Sequence, residues 1–61
     1  MENLHIQIEN SKAELFEIQL IDHDLKDVIF NITENEFYNT FLLKGLNEEE
    51  VEIVENIEKS I

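Results

Sequence analysis

Three separate segments of this chain alternate apolar and polar residues, and that alternation most narrows the folds open to it. Leu4, Ile6 and Ile8 are interleaved with His5 and Gln7, and Phe16, Ile18 and Leu20 with Glu17 and Gln19. Val28, Phe30 and Ile32 repeat the pattern further on. A period of two places each apolar set on one side of a strand. The expected strands are residues 4 to 9, 14 to 21 and 27 to 33. Turn chemistry at Asn10-Ser11-Lys12 and Asp22-His23-Asp24 separates them.

One register satisfies both hairpins. With residues 14 to 21 as the central strand, Ile8 opposes Phe16, Ile6 opposes Ile18 and Leu4 opposes Leu20. Across the second turn Leu20 opposes Val28, Ile18 opposes Phe30 and Phe16 opposes Ile32. A slip of one residue would turn every core side chain outward. A second reading competes with this one. Ser11-Lys12-Ala13-Glu14 has the form of a capping box, and Ile18, Ile21, Leu25, Val28 and Ile32 have heptad-like spacing. Residues 11 to 32 would then be one helix. The β-branched content and the Asp-His-Asp interruption favour strands.

The C-terminal half reads as helical. Thr33-Glu34-Asn35-Glu36 has capping-box form, Phe37, Phe41 and Leu42 follow at helical spacing, and Lys44-Gly45 reads as a stop. Asn47 then caps a last helix, with Glu50 at its third position and Val51, Val54, Ile57 and Ile61 as an apolar stripe. The expected fold class is α+β: a three-stranded antiparallel β-meander followed by two short helices packed on one face, in the order βββαα. Residues 1–61 form a single small domain.

Sixty-one residues lie near the lower limit for a chain that folds alone, and the absence of cysteine removes disulfides and thiolate metal sites. Stability must come from a dense core, self-association or a partner. Hydrophobic residues make up 43% of the chain, enough for a core despite the charge. That charge is strongly one-sided. Fifteen acidic residues face four lysines, giving a net charge of −11. Nucleic acid and anionic lipid would repel such a chain, so no direct nucleic-acid partner and no membrane partner is expected. The matching partner is a basic protein. The N-terminus has no basic, apolar leader and no segment is long enough to span a bilayer, so the expected location is cytoplasmic.

No sequence motif implies catalysis, and no cofactor or metal site is expected. The chain lacks a Gly-rich phosphate loop, a GxSxG elbow and a cysteine nucleophile. Asp22 to Asp27 resembles the start of a calcium loop only at its first residues. Lys26, Asp27 and Thr33 stand where the loop needs an oxygen ligand, a glycine and a glutamate. His5 and His23 have no third ligand.

Two surfaces remain as binding candidates. Glu48, Glu52 and Glu55, flanked by Glu49, fall on one side of the last helix at i, i+4 and i+7. Successive carboxylates are then roughly 4.5–6 Å apart along the axis, a spacing comparable with that of adjacent phosphates on a nucleic-acid strand. This acidic ridge can occupy a basic groove, or it can be an ordinary solvated helix face. The second candidate is the outer face of the expected sheet, which would carry Leu15, Ile21 and Ile29, extended by Tyr38 and Leu43. Such an apolar face suits a partner or a homodimer.

By size, acidity and lack of catalytic groups the chain resembles, as a class, the compact inhibitors that phages and other mobile elements direct at host enzymes, some of which imitate DNA. The expected function is that of a small acidic, non-enzymatic protein that inhibits or regulates a basic, nucleic-acid-handling protein. The alternative is a small dimeric assembly subunit that binds through the apolar face.

Overall fold

The computed structural model describes all 61 residues. Strand β1 (Glu2–Glu9) leads directly into helix α1 (Asn10–Asp22). A short 3-10 turn at Lys26–Val28 precedes strand β2 (Ile29–Glu34), which forms a hairpin with strand β3 (Tyr38–Leu46). Helix α2 (Glu48–Ser60) closes the chain. The sheet is antiparallel throughout, in the order β1-β3-β2. Ile6 and Ile8 of β1, and Phe41, Leu43 and Leu46 of β3, are buried together with Ala13, Phe16 and Leu20 of α1 and Val54 and Ile57 of α2. Both helices therefore cover the same face of the sheet. Phe16 meets Phe41 edge-to-face, with ring centroids 4.8 Å apart, at the junction of helix and sheet.

The fold is α+β, with three antiparallel strands and two helices on one face, as expected. The path between these parts is different: the chain runs β-α-β-β-α. Residues 14 to 21 are helical, so the centre of the sheet is β3 and the expected pairings of β1 with those residues do not form. Ile6 pairs instead with Phe41, and Leu4 with Leu43. The helix over residues 11 to 32 considered as an alternative is present only in its first part and ends at Asp22. The expected helix from Thr33 is instead the end of β2, the hairpin turn and β3. Asn35 accounts for that turn. Its side-chain oxygen accepts from the backbone N–H of Phe37 at 2.9 Å and of Tyr38 at 2.7 Å. This local bonding competes with a helix start, and the aromatic and β-branched residues that follow suit a strand. Strand β1 and helix α2 lie where the sequence places them.

Two bulges set which residues of β3 and β2 face inward. Leu43 pairs with Leu4 but Leu46 pairs with Glu2, so β3 carries one extra residue there. Gly45 lies in that bulge at φ 76°, a conformation natural to glycine, and its N–H donates to the side-chain oxygen of Asn3 at 3.3 Å. The extra residue lets Leu46 reach the core beside Leu43. In β2 the extra residue is Phe30. Ile29 and Ile32 both pack on the core, while Phe30 is turned out, 65% exposed, beneath the Lys44 ammonium at 3.7 Å from its ring centre.

The polar stretch Asp22-His23-Asp24 ends α1 rather than joining two strands. Asp24 adopts φ 63°, its N–H donates to the Ile21 carbonyl and the Leu25 N–H donates to the Leu20 carbonyl. That pair of bonds is the Schellman stop, and the buried contact expected across it is supplied by Leu20 and Leu25.

Candidate functional site

Helix α2 begins as the sequence requires. The Asn47 side-chain oxygen accepts from the Glu50 N–H at 2.8 Å, and the Glu50 carboxylate accepts from the Asn47 N–H at 2.9 Å. This reciprocal cap fixes where the helix starts, and packing of its apolar side fixes its rotation. Val54 and Ile57 are buried and Val51, Ile53 and Ile61 pack around them. The opposite side then carries Glu48, Glu52 and Glu55, all exposed, with Glu49 on one flank and Lys59 at the far end. The acidic ridge is thus brought together as a single row. Glu48, Glu49 and Glu50 also sit in the first turn, where the helix dipole favours negative charge.

The residues expected to form one apolar sheet face are not together. Leu15 and Ile21 lie on α1, 47% and 45% exposed. Ile29 is half-buried against the core and Leu43 is fully buried. Tyr38 stands at the start of β3, 42% exposed. The correction follows from the helical state of α1: once residues 14 to 21 coil, Leu15 and Ile21 leave the sheet altogether. The true outer sheet face carries His5, Gln7, Asn31 and Thr33 around a half-buried Leu42, with Phe30 turned out beside Lys44.

A different apolar surface takes its place. Ile18, assigned to the core by alternation, is 45% exposed and lies between Leu15 and Ile21 on the solvent side of α1. Ala13, Phe16 and Leu20 occupy the buried side. Helix α1 is therefore apolar on two opposite sides. The signal that could have found this is the spacing 13, 16, 20, which is complete without Ile18. Phe37, expected on the apolar side of a helix, is turned out to solvent. It is 68% exposed at the hairpin tip, and with Glu9, Asn10, Ser11, Glu36 and Tyr38 it lines a shallow depression where α1 begins. The Asn10 side-chain amide pins that tip by donating to the carbonyls of Asn35 at 3.1 Å and Glu36 at 2.9 Å.

His5 pairs with Leu42 on the outer sheet face and His23 caps the C-terminus of α1, so the two are on separate elements. No three His, Cys, Asp or Glu side chains converge in a way that could hold a metal ion. No helix is long and apolar enough to cross a membrane. The surface presents a row of carboxylates on one helix and a strip of aliphatic side chains on its neighbour. No protein-family model, curated protein or solved structure matches this chain.

Proposed function

We propose that the chain is a small acidic, non-enzymatic binding protein that inhibits or regulates a basic, nucleic-acid-handling protein of the cytoplasm. The observation that carries this reading is the exposed row of Glu48, Glu52 and Glu55 on a helix started by the Asn47 cap and oriented by the burial of Val54 and Ile57. A row of negative charge on a body of net charge −11 attracts a surface built to hold phosphates, speeds encounter with it and sets register. The test is capture by the tagged protein across a salt series, with duplex DNA as competitor. A basic nucleic-acid-handling partner that salt releases and DNA displaces is the expected result. The variant Glu48→Lys, Glu52→Lys, Glu55→Lys should keep its fold and lose that partner, and unchanged capture by it would refute the reading.

A second reading is a small assembly subunit that pairs with its own copy. The exposure of Leu15, Ile18 and Ile21 favours it. Its complex would hold across the same salt series, because apolar burial is little affected by screening.

A further inference from the structure

We propose that a basic amphipathic helix of the partner protein docks on the paired outer faces of α1 and α2. Its apolar side covers Leu15 and Ile18, and its Lys and Arg side chains meet Glu49 and Glu52 and reach past them toward Glu48 and Glu55. This rests on the acidic-ridge reading and adds where the apolar anchor lies and what covers it.

The first observation is the second apolar stripe of α1. A surface helix needs one such stripe, and Ala13, Phe16 and Leu20 already supply it. Leu15, Ile18 and Ile21 add nothing to the core and remain about half exposed. The second observation is placement. Both helices lie on one face of the sheet, so their solvent sides point the same way. Gln19, His23, Ile53, Asn56, Ile57 and Ser60 line the groove between them. Helical spacing puts Leu15 between Ile18 and Gln19 around α1, so the aliphatic strip borders the groove on one side. The same spacing puts Glu49, Asn56 and Glu52 in succession beyond Ile53 around α2, so Glu49 and Glu52 border the groove on the other, with Glu48 and Glu55 one step further round. Packed helices lie about 8–10 Å apart, and a third helix about 10 Å wide laid along the groove touches both borders. Its own residues at i, i+3, i+4 and i+7 supply the apolar contact.

Charge decides the occupant. Glu14 and Asp22 are exposed beside the aliphatic strip, and the carboxylate row lies across the groove from it. Lys12 and Lys59 are the only basic residues on the two helices. A second copy pairing through α1 about a two-fold axis would bring these acids against themselves on two bodies of charge −11. A helix with a lysine or arginine flank laid in the groove meets opposite charge at Asp22 and at the carboxylates of α2, and provides the desolvated apolar contact that exposed charges alone do not.

The test uses two synthetic helical peptides of equal positive charge, one with leucines on its apolar side and one with serines there. Binding to the full chain is measured by calorimetry at about 150 mM salt, with backbone amide shifts mapped by NMR. The leucine peptide should bind at least about tenfold more tightly, with its largest shifts at Leu15, Ile18 and the groove. Leu15→Asp with Ile18→Asp should remove that advantage while the weaker, charge-driven binding of the serine peptide remains. The shift map on the unaltered chain locates the contact without relying on that variant. Equal affinities, or shifts confined to α2 or the outer sheet face, overturn the anchor and leave the acidic reading standing. Failure of both peptides to bind overturns both. A dimer in sedimentation that Ile18→Asp dissociates assigns the strip to a second copy and overturns the proposal.

Discussion

Gly45 and Asp24 occupy the only two left-handed backbone positions, and they use the same conformation for different ends. Gly45 gives β3 its bulge. A Cβ there would meet only the Met1 sulfur at 3.9 Å, an ordinary contact, so the penalty for any other residue is conformational. Gly45→Ala should lower stability by about 1 kcal/mol in urea unfolding without loss of the fold. Asp24 holds the position in the helix stop where glycine is usual, and it places a carboxylate near the negative end of α1. Asp24→Gly relieves both, and the same measurement should show a gain of about 0.5–1 kcal/mol. Asp24→Asn, which removes the charge but keeps a side chain tolerant of this conformation, should recover part of that gain. Both positions were legible as interruptions. Their purpose was not, because a left-handed residue serves a helix stop, a hairpin or a bulge equally well.

At the scale of elements, legibility depended on how many patterns a segment satisfied at once. Helix α2 satisfied one. Its cap, acidic first turn and apolar stripe agree, and the structure repeats them. Asn47→Ala removes the bond to the Glu50 N–H, should cost about 1 kcal/mol and should fray the first turn in hydrogen exchange. Helix α1 satisfied two patterns. Strand alternation selects residues 16, 18 and 20, and helical spacing selects 13, 16 and 20, so Phe16 and Leu20 belong to both. Ile18 and Ala13 separate them, and an apolar Ile18 points to strand when the helix has a second apolar side. Strand β3 hid for the opposite reason. Its buried residues, Phe41, Leu43 and Leu46, break the period of two because the Gly45 bulge lies between them. The acidic ridge was legible because α2 was, while the apolar strip was misplaced with α1.

The whole molecule combines a core of eleven buried residues with a net charge of −11 and no disulfide. A domain this small buries a modest fraction of its surface, so its stability margin is narrow and charge repulsion takes a visible share of it. The Debye length falls from about 30 Å at 0.01 M salt to about 8 Å at 0.15 M. Added salt should therefore raise the unfolding temperature steeply over that range and less beyond it. Glu52 allows the cause to be separated from a general salt effect. It lies four residues after Glu48 and three before Glu55, with no role in the Asn47 cap. Glu52→Lys converts three repulsive neighbours, Glu48, Glu49 and Glu55, into attractive ones and should add about 0.5 kcal/mol at low salt, with a shallower salt dependence in thermal unfolding. If the ridge serves recognition, the same variant should bind a basic partner more weakly. A more stable protein that binds less well would show that the row of carboxylates is retained at the expense of the fold. A variant with unchanged low-salt stability would show that repulsion along α2 is not what limits this domain.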